Sequence, residues 1–276
     1  MTASIHPSAV VADGAVIGAG STIGPFCYVG PNVVIGENVE LKSHVAIDGF
    51  TTIGDGCKIY PNAAIGYAPQ SFGHKGGKTT CTIGKNTVIR ESATVQAGAD
   101  FSRGATSVGD NCYLMAYSHV AHDCDVGNNV TMANGVALAG HCEIGNNVTI
   151  GGLTAVLQFV RVGNNAFLAG MSAISGDVIP YGLAQGNLAE LRGLNVVGMR
   201  RAGMTKSDIH LARRAYMTLF DRSRPMAESL EIARREFADH PLAMGIVDFV
   251  GARGKRYFVM PPLKNSGQAD GDEASD

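Results

Sequence analysis

An aliphatic residue recurs at every sixth position from Ile5 through Ile65, resumes in phase at Ile83, Ile89 and Val95, and runs in a new phase from Val108 to Ile174. A period of six fits neither an amphipathic α-helix nor an ordinary alternating strand. It fits a short strand and a corner, repeated, and three such units close a triangular coil. The coil is written directly in the sequence. Gly109-Asp110-Asn111, Gly127-Asn128-Asn129, Gly145-Asn146-Asn147 and Gly163-Asn164-Asn165 follow one another at intervals of eighteen. Gly and Asn tolerate the positive φ of a tight corner. The predicted fold is a parallel β-helix of about nine or ten coils between Ile5 and Val178, stacked at the strand spacing of roughly 4.8 Å.

Side chains alternate along a strand, so the residue two before each aliphatic should also point inward. Those positions hold small residues such as Val33, Thr51, Ala63, Ser118 and Ala166, and all six cysteines: Cys27, Cys57, Cys81, Cys112, Cys124 and Cys142. One packing role explains every cysteine, so disulfides and a cysteine metal site are not expected. Free thiols suit a reducing compartment. No signal peptide and no apolar run of membrane-spanning length is present, and the expected location is cytoplasmic, without stable membrane insertion.

The repeat breaks twice. Residues 67–78, Tyr67 to Lys78, carry no repeat character, and an excursion near Ala97–Thr106 resets the phase. Insertions in a solenoid project from it and often bind ligands. After Pro180 the pattern becomes helical. Thr205 is a candidate N-cap for a helix through Phe220, and Pro225 and Pro241 open two more, to Phe237 and about Val250. The expected division is a β-helix over residues 1–189, a helical region over 190–260, and a disordered tail over 261–276. Residues 190–260 hold 13 Lys and Arg against 8 Asp and Glu, a net +5, although the chain as a whole is −2. That balance suits an anionic ligand or acidic protein. No aromatic stripe or motif points to nucleic acid.

Polar residues that the repeat does not require mark a candidate site. His119, His122 and Asp123 cluster around the inward Val120. One coil on from His122 and Asp123 lie Gly140 and His141, and one further lies Gln158. These should line one edge across about 10 Å. An imidazole can deprotonate a hydroxyl, a neighbouring carboxylate can hold its tautomer, and a glycine N–H can steady an oxyanion. The set suits acyl transfer.

The chain resembles the acyl-[acyl-carrier-protein]–UDP-N-acetylglucosamine O-acyltransferases of lipid A biosynthesis along nearly its full length. The resemblance rests on Gly24-Pro25-Phe26-Cys27, Arg90-Glu91-Ser92, Ala121-His122-Asp123-Cys124, Leu138-Ala139-Gly140-His141, Ala184-Gln185-Gly186-Asn187 and Gly198-Met199-Arg200-Arg201. It implies a left-handed coil with a C-terminal α-helical domain, and a homotrimer with sites between subunits. An R-3-hydroxyacyl chain would pass from the phosphopantetheine of acyl carrier protein to the 3-position of a UDP-sugar. No resident cofactor or metal is implied. His122 matches the general base, Asp123 its partner and Gly140 the oxyanion donor. Gln70, His119, His141, Gln158, Asn195 and Arg201 match substrate-contacting positions. Gly170 matches a position that limits acyl length, where glycine leaves room for a longer chain.

Three positions depart from the family pattern. Ser71 and Gly73 stand where it has Asp and Lys in contact with the sugar, and Leu157 stands where many members have His. A 3-amino acceptor, giving N-acylation, is one expectation from this change; a non-catalytic solenoid is another reading. Two scaffold relatives fit less well. The later N-acyltransferase of the pathway has an additional N-terminal domain, whereas the repeats here begin by Ile5. The trimeric zinc carbonic anhydrases need a different histidine spacing.

Overall fold

The structure is a computed structural model that describes residues 2–252 and 254–263. Two- to five-residue strands form three sheets of eleven, nine and eight strands, and within each sheet successive neighbours come from successive coils. Among the described residues every strand pair is parallel except the hairpin of Gly182–Gln185 and Glu190–Leu194. The coil step is eighteen where the repeat is intact, as in His119↔Ala137 and Asp125↔Glu143. It lengthens at the insertions: Lys58 pairs with Val88 and Thr94 with His119.

Both inward positions of the hexad are buried as the alternation requires. Ile47, Ile59, Leu114 and Ile150 are fully buried, and so are Val33, Ala63, Val130 and Ala166. The six cysteines are buried free thiols. Four of them donate to carbonyls fifteen residues on, Cys27 to Lys42, Cys112 to Gly127, Cys124 to Ala139 and Cys142 to Leu157. Burial pushes the Cys57 thiol up to about 11 and Cys81 to about 12, so neither is a nucleophile at neutral pH. The first coil departs from the pattern: Ile5 is 47% exposed, whereas Ile23, one coil on, is 2% exposed. A terminal coil has a neighbour on one side only.

Three edges join the three sheets. One is an asparagine ladder in which each side chain accepts from the backbone N–H one coil before: Asp110 N–H to Asn128, Asn128 N–H to Asn146, Asn146 N–H to Asn164. The second carries the large apolar residues Tyr117, Leu153 and Met171, all mostly exposed. The third carries Asp123, His141 and Phe159, each at positive φ. Both insertions leave from this third edge, between Tyr67 and Thr80 and between Gln96 and Ala105.

The described residues of the C-terminal part form four helices: α1 (Val196–Arg201), α2 (Lys206–Leu219), α3 (Met226–Glu236) and α4 (Pro241–Gly251). Thr205 and Asp208 close a capping box at α2, and Pro225 precedes α3. The short α1 carries no helical period long enough to read from sequence. The division expected at residue 189 falls inside the hairpin, so the chain passes from β-helix to helices without a linker. Asp177 and Arg161 fasten the two parts. Asp177 is fully buried and takes Arg161 Nε at 2.8 Å. The same guanidinium donates to Ala252 O at the end of α4 and lies over the Phe249 ring. Residues 264–276 of the expected tail lie outside the described residues, and 261–263 adopt no regular structure.

Candidate active site

The coil register brings His122, Gly140 and Gln158 onto one edge. His141 N–H donates to His122 O at 3.0 Å and Phe159 N–H to Gly140 O at 3.1 Å. Gly140 lies directly against the His122 ring; a Cβ there would sit 2.8 Å from Cε1 and 2.9 Å from Nε2. Only glycine lets the backbone approach the imidazole this closely. Gln158 is exposed one coil further, and its carbonyl accepts from Arg256 at 2.8 Å.

His122 Nδ1 is 2.8 Å from Asp123 Oδ2. With Nδ1–H donating to the carboxylate, Nε2 is the nitrogen left to exchange a proton with a ligand. Asp123 is 3% exposed, and its carboxylate is held by the second insertion. The N–H groups of Ala99 and Gly104, at either end of the excursion, donate to it, Gly104 at 2.9 Å. Its own N–H donates to Thr106 Oγ1 at 2.8 Å. The insertion that disturbs the repeat therefore builds the socket of the carboxylate.

His141 completes the cluster. Its Nδ1 is 3.9 Å from Asp123 Oδ2, its ring meets the His122 ring edge-on at 5.0 Å, and it stacks on Phe159 at 4.4 Å. Burial lowers the His141 pKa below the ordinary 6.5, as do His122 and Lys255, while the Asp123 carboxylate opposes them. His119 Nδ1 lies 2.7 Å from Thr94 Oγ1, and burial, then the neighbouring His122, lower its pKa as well. Both are neutral imidazoles near pH 7, able to accept or donate one hydrogen bond to a ligand. The histidines project from the prism as expected, but the insertions roof them; the His122 side chain is only 15% exposed.

The two insertions hold each other. Asp100 accepts from the N–H groups of Gly77 at 2.8 Å and Lys75 at 3.0 Å, and its carboxylate meets His74 at 3.3 Å. The Gly77 N–H leads in keeping the Asp100 carboxyl below its usual range, against the opposing effect of burial.

His122, Asp123 and His141 each offer a ligand atom within 4.8 Å of the others. Asp123 already receives two backbone N–H groups and His122, so in this arrangement it orients a ring.

The remaining expected contacts are dispersed. Gln70 is exposed in the first insertion. Gly170 is exposed on the apolar edge, one residue before Met171. Asn195 spends its side chain on structure, accepting from Gly198 N–H as the cap of α1 and donating to Asn165 O on the asparagine edge. Arg201 is exposed at the end of α1. Within one chain the expected residues thus occupy three different edges. Phe159 was missed by sequence reasoning, although the coil step from His141 points to it. Phe101, Ala99, Gly104 and Thr106 could not be placed because the phase resets between them and His122. A groove of about 550 Å³ between the β-helix and α4 is lined by Glu143, Arg161 and Asp248, away from the histidine cluster.

No described helix is long and apolar enough to cross a membrane. The family described as bacterial transferase hexapeptide (six repeats) matches residues 14–49, 32–67 and 105–140. The Udp N-acetylglucosamine O-acyltransferase domain 2 family matches residues 177–258. The acyl-[acyl-carrier-protein]–UDP-N-acetylglucosamine O-acyltransferase of Mesorhizobium japonicum is 58% identical over 99% of this chain and 97% of its own. The enzyme of the same name from Rhizobium johnstonii is 51% identical over 96% and 98%. A crystal structure of a UDP-N-acetylglucosamine acyltransferase superposes with a TM-score of 0.91 at 38% identity, over 94% of this chain and all of that one. The Francisella novicida enzyme superposes at 0.90 with 37% identity, covering 94% of each chain. The hexapeptide coil is thus the left-handed β-helix of these transferases. With this coil, this edge and relatives matched from end to end, the chain belongs to the UDP-N-acetylglucosamine O-acyltransferase family.

Proposed function

We propose that this acyltransferase moves an R-3-hydroxyacyl chain from acyl carrier protein to the 3-hydroxyl of UDP-N-acetylglucosamine, the first step of lipid A biosynthesis. The observation that carries the reading is the contact of Gly140 with the His122 ring, with Asp123 behind that ring. His122 Nε2 takes the proton from the sugar hydroxyl as its oxygen attacks the thioester carbon. The Gly140 N–H steadies the tetrahedral oxyanion. As the carbon–sulfur bond breaks, the imidazolium returns the proton to the leaving thiolate, and Asp123 stabilises the cation between the two steps. His119 and His141 serve as neutral hydrogen-bonding groups for substrate. The acyl group arrives on the carrier's phosphopantetheine arm, so the reaction needs no resident cofactor. The setting is the cytoplasm, where free thiols and carrier-bound acyl groups coexist.

The working unit is a homotrimer. Gly170 lies on the apolar edge and Asn195 against the asparagine edge, apart from His122, which supports a site completed by residues of neighbouring subunits. The exposed Tyr117, Leu153 and Met171 supply an apolar edge to bury. The relatives' printed names specify an oxygen acceptor, and neither a 3-amino acceptor nor a non-catalytic solenoid is favoured by them. His122→Ala is the test of the base. It should lower kcat by about 10²–10⁴-fold while leaving the thermal midpoint and oligomeric mass intact. Transfer near the native rate would remove His122 from the role.

A further inference from the structure

The second insertion does more than cradle Asp123. It carries an aromatic ring to the rim of the site. Phe101 is 53% exposed, and its ring approaches the His122 ring edge-on at 6.1 Å. A single exposed phenylalanine needs no explanation by itself. This one sits on a backbone tied down on both sides. Asp123 receives the N–H groups of Ala99 and Gly104, which bracket it, and the adjacent Asp100 binds the N–H groups of Lys75 and Gly77. Gly73 makes the seat. A Cβ there would lie 2.9 Å from Phe101 Cε1 and 3.2 Å from Cδ1. The ring is thus held in solvent by two interlocked loops, an arrangement that folding alone does not call for.

We propose that Phe101, seated on Gly73, is a platform for the apolar face of the acceptor sugar and a determinant of acceptor specificity. The inference rests on the acyl-transfer reading of His122. His122 lies between Gly140, from the coil that follows, and Phe101, from the insertion in the coil before. If the donor carbonyl sits at the Gly140 N–H, the Phe101 side is left to the acceptor. A hydroxyl within about 3 Å of Nε2 places the rest of its pyranose ring within van der Waals reach of an aromatic ring 6.1 Å from the imidazole centroid. The C–H face of a sugar and an aromatic face are both apolar and flat, and a ring fixed beforehand loses little entropy on binding.

The test combines calorimetry of UDP-N-acetylglucosamine with steady-state kinetics on the intact protein. Phe101→Ala should weaken nucleotide-sugar binding and raise its KM by about tenfold. The KM for the acyl-carrier thioester and kcat should stay within about twofold. Phe101→Tyr, which keeps the ring, should remain near native. Gly73→Ala, which pushes the ring from its seat, should raise the acceptor KM without lowering the thermal midpoint appreciably, because the half-exposed ring can yield. Unchanged acceptor affinity in Phe101→Ala, or a rise confined to the acyl-carrier KM, would overturn the proposal. Should the native protein bind the nucleotide sugar without acyl transfer, the role of His122 falls, and the calorimetric comparison still decides the role of Phe101.

Discussion

At the scale of single residues, the site edge holds Asp123, His141 and Phe159 at φ of 59°, 65° and 64°. The asparagine edge uses Asn129, Asn147 and Asn165, each next to a ladder residue, for the same backbone state, asparagine being the residue type that tolerates it best after glycine. Non-glycine residues held there cost of order 1–3 kcal/mol each, so this edge trades stability for side-chain chemistry. Protons add a second cost. His119 and His141 have pKa values depressed below 6.5, chiefly by burial. The unfolded chain therefore binds more protons than the folded one in the window below 6.5. The stability is fully present above the unfolded value and is lost as pH falls through the window toward the folded values. Thermal midpoints should drop between about pH 7.5 and about pH 5.5. A His119→Gln, His141→Gln double variant should show a flatter acid limb. An identical slope in the double variant would show that other groups carry the acid sensitivity.

At the scale of elements, the two insertions turn a regular solenoid into a site. Gly98 opens the second one, where the backbone passes too close to its own return for any side chain: a Cβ would lie 2.0 Å from Ala105 N and 2.1 Å from the Gly104 carbonyl carbon. Gly98→Ala must displace the Gly104 N–H that holds Asp123. The expected cost is about 1–3 kcal/mol of stability, as for other overpacked positions, read as a lower denaturation midpoint. A fall in kcat should accompany it, because the His122 partner shifts. Native kcat in this variant would show that the cradle tolerates the movement. Much at this scale was legible beforehand. The hexads, the inward cysteines, and the starts of α2, α3 and α4 follow from local periodicity and capping chemistry. The short α1 and the course of the insertions did not follow, because neither repeats and both are shaped by contacts with distant residues such as Asp123 and Asp100.

At the scale of the whole molecule, the apolar edge and the dispersed ligand positions belong together. Tyr117, Leu153 and Met171 are 72%, 67% and 75% exposed in the single chain. In the proposed trimer that edge would be covered and Gly170 of one subunit would lie toward a neighbour's catalytic edge. Leu153→Glu should therefore reduce the sedimenting mass toward that of one 28.7 kDa chain and abolish transfer, since buried unpaired carboxylates disfavour the interface. A trimer that persists with Glu at this position would place the interface elsewhere.

The amino-acid order alone determined the coil, its inward residues and the stacking of His122, Gly140 and Gln158, because a strict period converts sequence separation into distance. It also marked Asp123 and His141 as neighbours by the same step. Tertiary structure decided what the period cannot express: that both insertions rise from the edge of His122, that Ala99 and Gly104 clasp Asp123, and that Phe101 rests on Gly73 beside the imidazole. Those contacts join segments with no common register, so only their packing against one another fixes where they lie.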